Sequence, residues 1–325
     1  MTRRKTMIRF ARIAPLLAGA TLALAGGPAA AYPDRTVRIV VPFPPGTVTD
    51  LMARKYAEEL SRQLRQTFVV ENKPGAGGTV AAQHVLNSQA DGYTVLFVSS
   101  AHAAAPALNP RLPYDTVKDF SGVALLGSTP TLVVTNPAAG IGTLDALLKQ
   151  AKTRELTYGS AGIGSAAHLA CEYFAAAAGI KPLHIPYKGS NEYVAEVRAG
   201  RIDFACPPVA TPLPLLRAGE LAGAAIMDAA RSDLIPDTPT TAQAGLPGVE
   251  YGIWYGVLMR RGAPEPAVSA LSGAIRKVNE QGDIAAPLQA QGVSLKYLPP
   301  AEFDDYIRRE VDKFQGIATR AGIKE

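Results

Sequence analysis

From Val37 onward the sequence keeps returning to one arrangement. A short run of β-branched and aliphatic residues ends in a turn rich in Gly or Pro, and a helical pattern of apolar residues follows. The strand-like runs fall at 37–41, 68–71, 94–98, 131–135, 183–186, 202–205, 222–226 and 253–259. Helical patterns fall at 48–65, 79–87, 144–152, 165–178, 193–199, 266–279 and 301–321. Strands that alternate with helices predict α/β architecture with mostly parallel sheets. A chain of 325 residues has room for one large or two medium domains of this kind. No repeat, low-complexity tract or long polar linker interrupts it, so two domains would have to be joined by ordered strands.

The first 31 residues stand apart. Arg3, Arg4, Lys5, Arg9 and Arg12 precede an apolar stretch over 16–25, and Ala29 and Ala31 occupy the small-residue positions of a cleavage site. This is the pattern of an export signal cleaved after Ala31, leaving Tyr32 first in a mature periplasmic protein. A membrane anchor fits less well, because Pro15, Gly26 and Gly27 break the short apolar core. The same segment holds five of the 33 Lys and Arg residues and none of the 28 Asp and Glu, so the remainder balances at 28 of each sign. A neutral remainder gives no electrostatic case for nucleic acid or an acidic membrane. Cys171 and Cys206 have apolar flanks and read as buried small hydrophobes; pairing would need a geometry that sequence does not supply.

Three strand-to-helix turns carry the functional signal. In VPFPPGTVTD, 41–50, Pro44, Pro45 and Gly46 stiffen the turn, while Thr47 and Asp50 stand at capping-box spacing. The turn sits at the carboxyl end of a strand and opens a helix, where open α/β sheets bind ligands and helix N-termini favour anions. An ordinary tight turn is the competing reading. Lys73-Pro74-Gly75-Ala76-Gly77-Gly78 resembles a dinucleotide fingerprint, but the third glycine falls on Val80. Tyr158-Gly159-Ser160-Ala161-Gly162-Ile163-Gly164-Ser165 precedes a helix with Ser165 as natural N-cap. Together the three turns suggest a cradle of backbone donors for a small anion.

Signatures of catalysis are sparse. The 158–162 stretch misses the nucleophile elbow at its first glycine. His84, His102, His168 and His184 are scattered without metal-ligand spacing, so neither a metal site nor a cofactor is expected. Ser165 and His168 lie one turn apart and form the one arguable dyad, though a cap beside a pocket or core histidine explains them more simply. Asp115 and Asp119 read as turn caps, and Trp254 and Tyr255 as buried strand residues.

Taken in order, Tyr32-Pro33-Asp34, VPFPPGTVTD, ENKPGAGG (71–78), DGYT (91–94), LPYDTVKDF (112–120), YGSAGIGSAAHLACEYF (158–174), HIPYKGS (184–190), AGRID (199–203) and AGLPGVE (244–250) resemble the extracytoplasmic solute receptors of tripartite tricarboxylate transporters, the Bug family. The resemblance spans nearly the whole mature chain. It implies a two-lobe periplasmic binding protein of type II-like fold, with lobe 1 at 32–132 plus 252–325, lobe 2 at 133–251, and two strand crossovers. In this family the first-strand loop and the glycine-rich loop of the second lobe grip a ligand carboxylate, partly through ordered waters. Carried over, the first-lobe contacts are Pro45, Gly46, Thr47, Val48, Ser99, Ser100 and His102. Those of the second lobe are Ser160, Ala161, Gly162, Ser165, His168 and Tyr187, with Lys188 nearby.

The resemblance also implies membrane permease subunits as partners and a monomer that closes on its ligand. A periplasmic sensor without transport is the alternative, and a Ser/His hydrolase a remote one. This chain departs from the family pattern at Thr47, where a second glycine is usual, and at Val48, where a polar residue is common. Pro207 and Pro208 stand where many members carry Asp, which weakens the case for an amino-acid ligand. With Lys188 the one cation nearby, backbone donors and hydroxyls are expected to hold a mono- or dicarboxylate.

Overall fold

The computed structural model describes residues 1–2, 32–281, 284–290 and 292–321. The expected export signal therefore lies outside the described residues, and the fold belongs to the unit Tyr32–Glu325. Eleven strands are described: β1 (Val37–Val41), β2 (Phe68–Asn72), β3 (Thr94–Ser99), β4 (Phe120–Pro130), β5 (Leu132–Thr135), β6 (Thr157–Ser160), β7 (Leu183–Pro186), β8 (Phe204–Ala205), β9 (Ala222–Ile226), β10 (Gly252–Arg260) and β11 (Ser294–Leu298). The helices are α1 (Val48–Leu64), α2 (Thr79–Leu86), α3 (Ala101–Leu108), α4 (Leu144–Ala151), α5 (Ala166–Ala178), α6 (Ser190–Arg198), α7 (Leu213–Arg217), α8 (Glu265–Gln281), α9 (Ala285–Gln289) and α10 (Pro300–Ala321).

The strands form two sheets, one in each lobe. The first has the order β11-β4-β10-β3-β1-β2, and the second β7-β6-β8-β5-β9. Strand β1 pairs in parallel with β2 and β3, and β6 in parallel with β7 and β8, as the βαβ pattern requires. The two-lobe α/β architecture is as expected, but each sheet is mixed rather than mostly parallel. Strand β10 runs antiparallel between β3 and β4, and β5 runs antiparallel between β8 and β9. The chain passes from the first sheet to the second between β4 and β5 and returns between β9 and β10.

Local chemistry sets the ends of the helices that matter. Apolar Met52, Ala53, Tyr56, Ala57 and Leu60 make one buried stripe of α1. Thr47 caps it by accepting the Asp50 N–H, and Arg65 ends it in the left-handed region. Helix α5 has Ser165 as N-cap and Gly179, at φ 67°, as the left-handed residue past its end. One continuous apolar cluster runs from Val41 and Met52 of the first lobe to Tyr158, Leu169 and Phe174 of the second, so the lobes share a core. Helix α10 packs on both α3 and α5. It is anchored through Trp254, whose indole N–H donates to Glu310 at 3.0 Å.

Cys171 and Cys206 form a disulfide with Cα atoms 5.4 Å apart, which corrects the reading of two unpaired cysteines. Both are fully buried, so their apolar flanks were a true sign of burial; it is the fold that brings α5 against the end of β8. The bond closes a loop across 35 residues, and the chain-entropy argument assigns it roughly 3–4 kcal/mol. A Cys171→Ala/Cys206→Ala double variant should lose roughly 2–4 kcal/mol of unfolding free energy in urea titration. A loss below roughly 0.5 kcal/mol would deny the bond a structural role.

Candidate functional site

A cavity of about 50 Å³ lies between the two sheets, with walls from both lobes. At roughly 10–15 Å³ per water it has room for a handful of waters, the scale of a small molecule. The first lobe contributes Phe43, Thr47, Val48, Thr49, Ser99, Ile253 and Tyr255. The second contributes Ala161, Ser165, Ala166, Ala167, Ser190, Tyr193 and Pro208. None of these side chains carries a charge.

Three helix N-termini converge on this space. Thr47, Val48 and Thr49 are the cap and first two residues of α1, and Ser165, Ala166 and Ala167 hold the same places in α5. Ser190 is the first residue of α6. In each helix the third N–H is already satisfied: Asp50 donates to the Thr47 hydroxyl oxygen, His168 to that of Ser165, and Glu192 to the Gly189 carbonyl. The N–H groups of Val48, Thr49, Ala166, Ala167, Ser190 and Asn191 have no hydrogen-bond partner among the described residues. Helix geometry leaves just such donors unpaired, and the helix dipole adds partial positive charge beside them. Hydroxyls of Thr49, Ser99, Ser165 and Ser190 stand among them.

Asp50 holds the α1 end in place. Its carboxylate accepts from the Gly46 N–H at 2.9 Å and the Asn72 amide at 2.8 Å, and pairs with Arg54 at 2.9 Å. The capping box expected from Thr47 and Asp50 therefore forms with the acid reaching one residue farther back. Burial alone would raise the Asp50 pKa, but the hydrogen bonds from Arg54, Gly46 and Asn72 outweigh it and hold it below the usual carboxylate range.

The lobes touch around the cavity. The Asn191 amide donates to the Gly46 carbonyl at 3.3 Å, and Gly189 lies against the Pro44 ring. Gly77 is pressed onto the second lobe so closely that a Cβ there would fall 2.6 Å from the Ile163 carbonyl oxygen. The Lys73–Gly78 turn, expected as part of the cradle, thus meets the second lobe instead of lining the cavity.

Of the residues expected at the site, Thr47, Val48, Ser99, Ala161 and Ser165 line the cavity. Pro45 and Gly46 are exposed on its outer side. Ser100 is buried near the Tyr251 hydroxyl, and His102 stacks with Tyr114, bonding the Thr116 carbonyl at 3.2 Å. Ser160 is fully buried, its hydroxyl 2.7 Å from His184 Nε2. Gly162 donates its N–H to Ser160, and the Tyr187 ring lies over Gly159. Ser165 bonds the His168 backbone N–H and not its ring, which stacks on Tyr158 and lies tilted against His184, so the pair is a cap and a packed ring rather than a dyad. Exposed Lys188 uses its backbone N–H to bond Glu192. Sequence reasoning missed Phe43, Thr49, Ala166, Ala167, Ser190, Tyr193, Pro208, Ile253 and Tyr255. Gly189-Ser190 ahead of a helical run was the available signal for α6. Tyr255 had none, since its place depends on pairing opposite Ser99.

Two α/β lobes closing helix N-termini around a small cavity define the class of periplasmic solute-binding proteins. Residues 52–323 match the tripartite tricarboxylate transporter family receptor, and the chain belongs to that family. It is 33% identical to the protein BugT of Bordetella pertussis, covering 90% of this chain and 91% of that one. The structure is similar to that of MatC from Rhodopseudomonas palustris with bound malate, at TM-score 0.82, 31% identity, and 88% and 100% of the two chains. It is also similar to R. palustris Rpa4515 with adipate, at TM-score 0.85, 30% identity, and 90% and 98% coverage.

The buried imidazoles make stability depend on pH. Burial lowers His102 and His184 from 6.5 to about 4, the Thr116 carbonyl partly opposing this at His102. Burial, then the neighbouring His184, lowers His168 to about 3. Between these values and 6.5 the unfolded chain binds protons that the folded chain does not, so stability falls as pH drops through that window. Depressed carboxylates such as Asp50 act below it. Unfolding at about pH 5 should take up roughly one proton per imidazole, measured as the pH slope of unfolding free energy. His184→Gln should remove about one of them; an unchanged slope would contradict the assignment.

Proposed function

We propose that this protein is a periplasmic receptor that captures a small organic carboxylate between its lobes and delivers it to the membrane permease of a tripartite transporter. One observation carries the reading: three helix N-termini from both lobes direct unpartnered N–H groups at a cavity with no charged side chain in its walls. Such a site stabilises an anion by oriented donors and helix dipoles, with no need for an ion pair. A cationic ligand would find no compensating carboxylate there. The malate and adipate of the related structures are acids of this kind.

In this reading Thr47, Val48, Ser99, Ala161 and Ser165 touch the ligand, while Pro45, Gly46 and Gly162 hold the turns that place them. Ser100, His102, Ser160, His168 and Tyr187 support the walls from behind. The lobes comprise 32–132 plus 252–325 and 133–251, and the chain works as a monomer released from its signal after Ala31. Because one ligand contacts donors of both lobes, it favours the closed arrangement by its differential affinity.

Thermal unfolding against a panel of short-chain acids, amino acids, sugars and divalent metals tests this. A bound acid at about a hundredfold excess over its Kd should add about 2.7 kcal/mol of stability, visible as a rise in Tm. A shift with sugars, amines or metals and none with acids would refute the reading.

A further inference from the structure

Two tyrosines face the cavity from opposite lobes, and the anion site leaves both unused. Tyr193 sits one turn into α6 of the second lobe. Tyr255 lies on β10 of the first lobe, opposite Ser99 in the register. Each is only 1% exposed and each lines the cavity. Neither phenol hydroxyl has a hydrogen-bond partner among the described residues. Buried phenols ordinarily find one, since an unpaired buried donor is costly. The rings are near enough that the charge of Tyr255 would oppose ionisation of Tyr193, and burial raises both pKa values, so both remain neutral donors. Tyr193 is fitted closely to the sheet: a Cβ on Gly159 would fall 2.8 Å from its own Cβ. The remaining wall near β10 is apolar, with Ile253 and Pro208.

We propose that Tyr193 and Tyr255 together read the far end of the ligand, selecting acids that carry a second oxygen acceptor there, a hydroxyl or a second carboxylate. This rests on the carboxylate reading of the site and deepens it. The first carboxylate lies at the helix N-termini. The distal oxygen accepts one hydrogen bond from each lobe, so specificity and closure depend on the same contact. An acid with a methyl group at that end leaves both donors unpaired and is rejected for that reason, as sites built to bond a substrate oxygen reject analogues without it. An ammonium group is disfavoured because no carboxylate lines the cavity.

The test is calorimetric titration with chains matched in length: butyrate, 4-hydroxybutyrate and succinate, then hexanoate, 6-hydroxyhexanoate and adipate. On the unaltered protein one distal-oxygen acid should bind at least about tenfold more tightly than its methyl-ended counterpart. Tyr193→Phe and Tyr255→Phe should each reduce that ratio, by about 2- to 10-fold for a distal hydroxyl and about 10- to 100-fold for a distal carboxylate. The size of the reduction therefore tells the two sources of oxygen apart. Acids that bind the unaltered protein without such a preference would overturn the inference, as would a preference that both variants keep. If no acid of either series binds the unaltered protein, the carboxylate reading itself falls. The ligand comparison on the unaltered protein stands even where a variant fails to fold.

Discussion

The structure depends on a set of backbone N–H groups that helix geometry leaves without partners. The first turn of any helix has such orphans, and most proteins satisfy them with caps or water. Here the caps of α1 and α5 each take only the third N–H, and the two before it face a shared cavity. Donors of one sign, drawn from both lobes and surrounded by apolar walls, are the physical content of the site. A lysine or arginine would supply more charge, but also a flexible side chain whose ordering costs entropy. Fixed peptide dipoles are ordered by the fold itself.

Much of the remaining structure keeps those donors in place. Parallel strands β1 and β6 each lead through a short turn into α1 and α5. Asp50 secures the first of these turns through Gly46, Asn72 and Arg54. On the other side the disulfide fixes α5, near its second turn, to the segment that leads to Pro208. Gly77, bare of a side chain, lets the lobes approach closely, and Gly189 lies against the Pro44 ring.

The sequence was most legible where a local rule decides the outcome. Thr47 and Ser165 cap the helices expected of them, because a hydroxyl at the right spacing needs no distant partner. The βα alternation locates most elements within a few residues. What escapes it depends on contacts between remote segments. Strand β4, FSGVALLGSTP, is broken by glycine and serine and shows no clean alternation; two antiparallel neighbours, β10 and β11, make it a strand. Helix α6 begins at Ser190, ahead of the expected 193, because Gly189 and Asn191 signal a turn as readily as a cap. The Lys73–Gly78 turn has the composition of an anion cradle, yet its Gly77 serves a close approach between lobes. Tyr255 reads as an ordinary buried strand residue until its pairing with Ser99 places it at the cavity.

The decisive measurement is a crystal structure of the protein with one bound acid from the stabilising panel. A carboxylate oxygen is expected about 2.7–3.2 Å from backbone nitrogens in the first turns of both α1 and α5, with every lysine and arginine beyond ion-pair distance. A carboxylate clamped by Lys188 or an arginine, or seated away from both helix termini, would contradict the role given to the orphan donors.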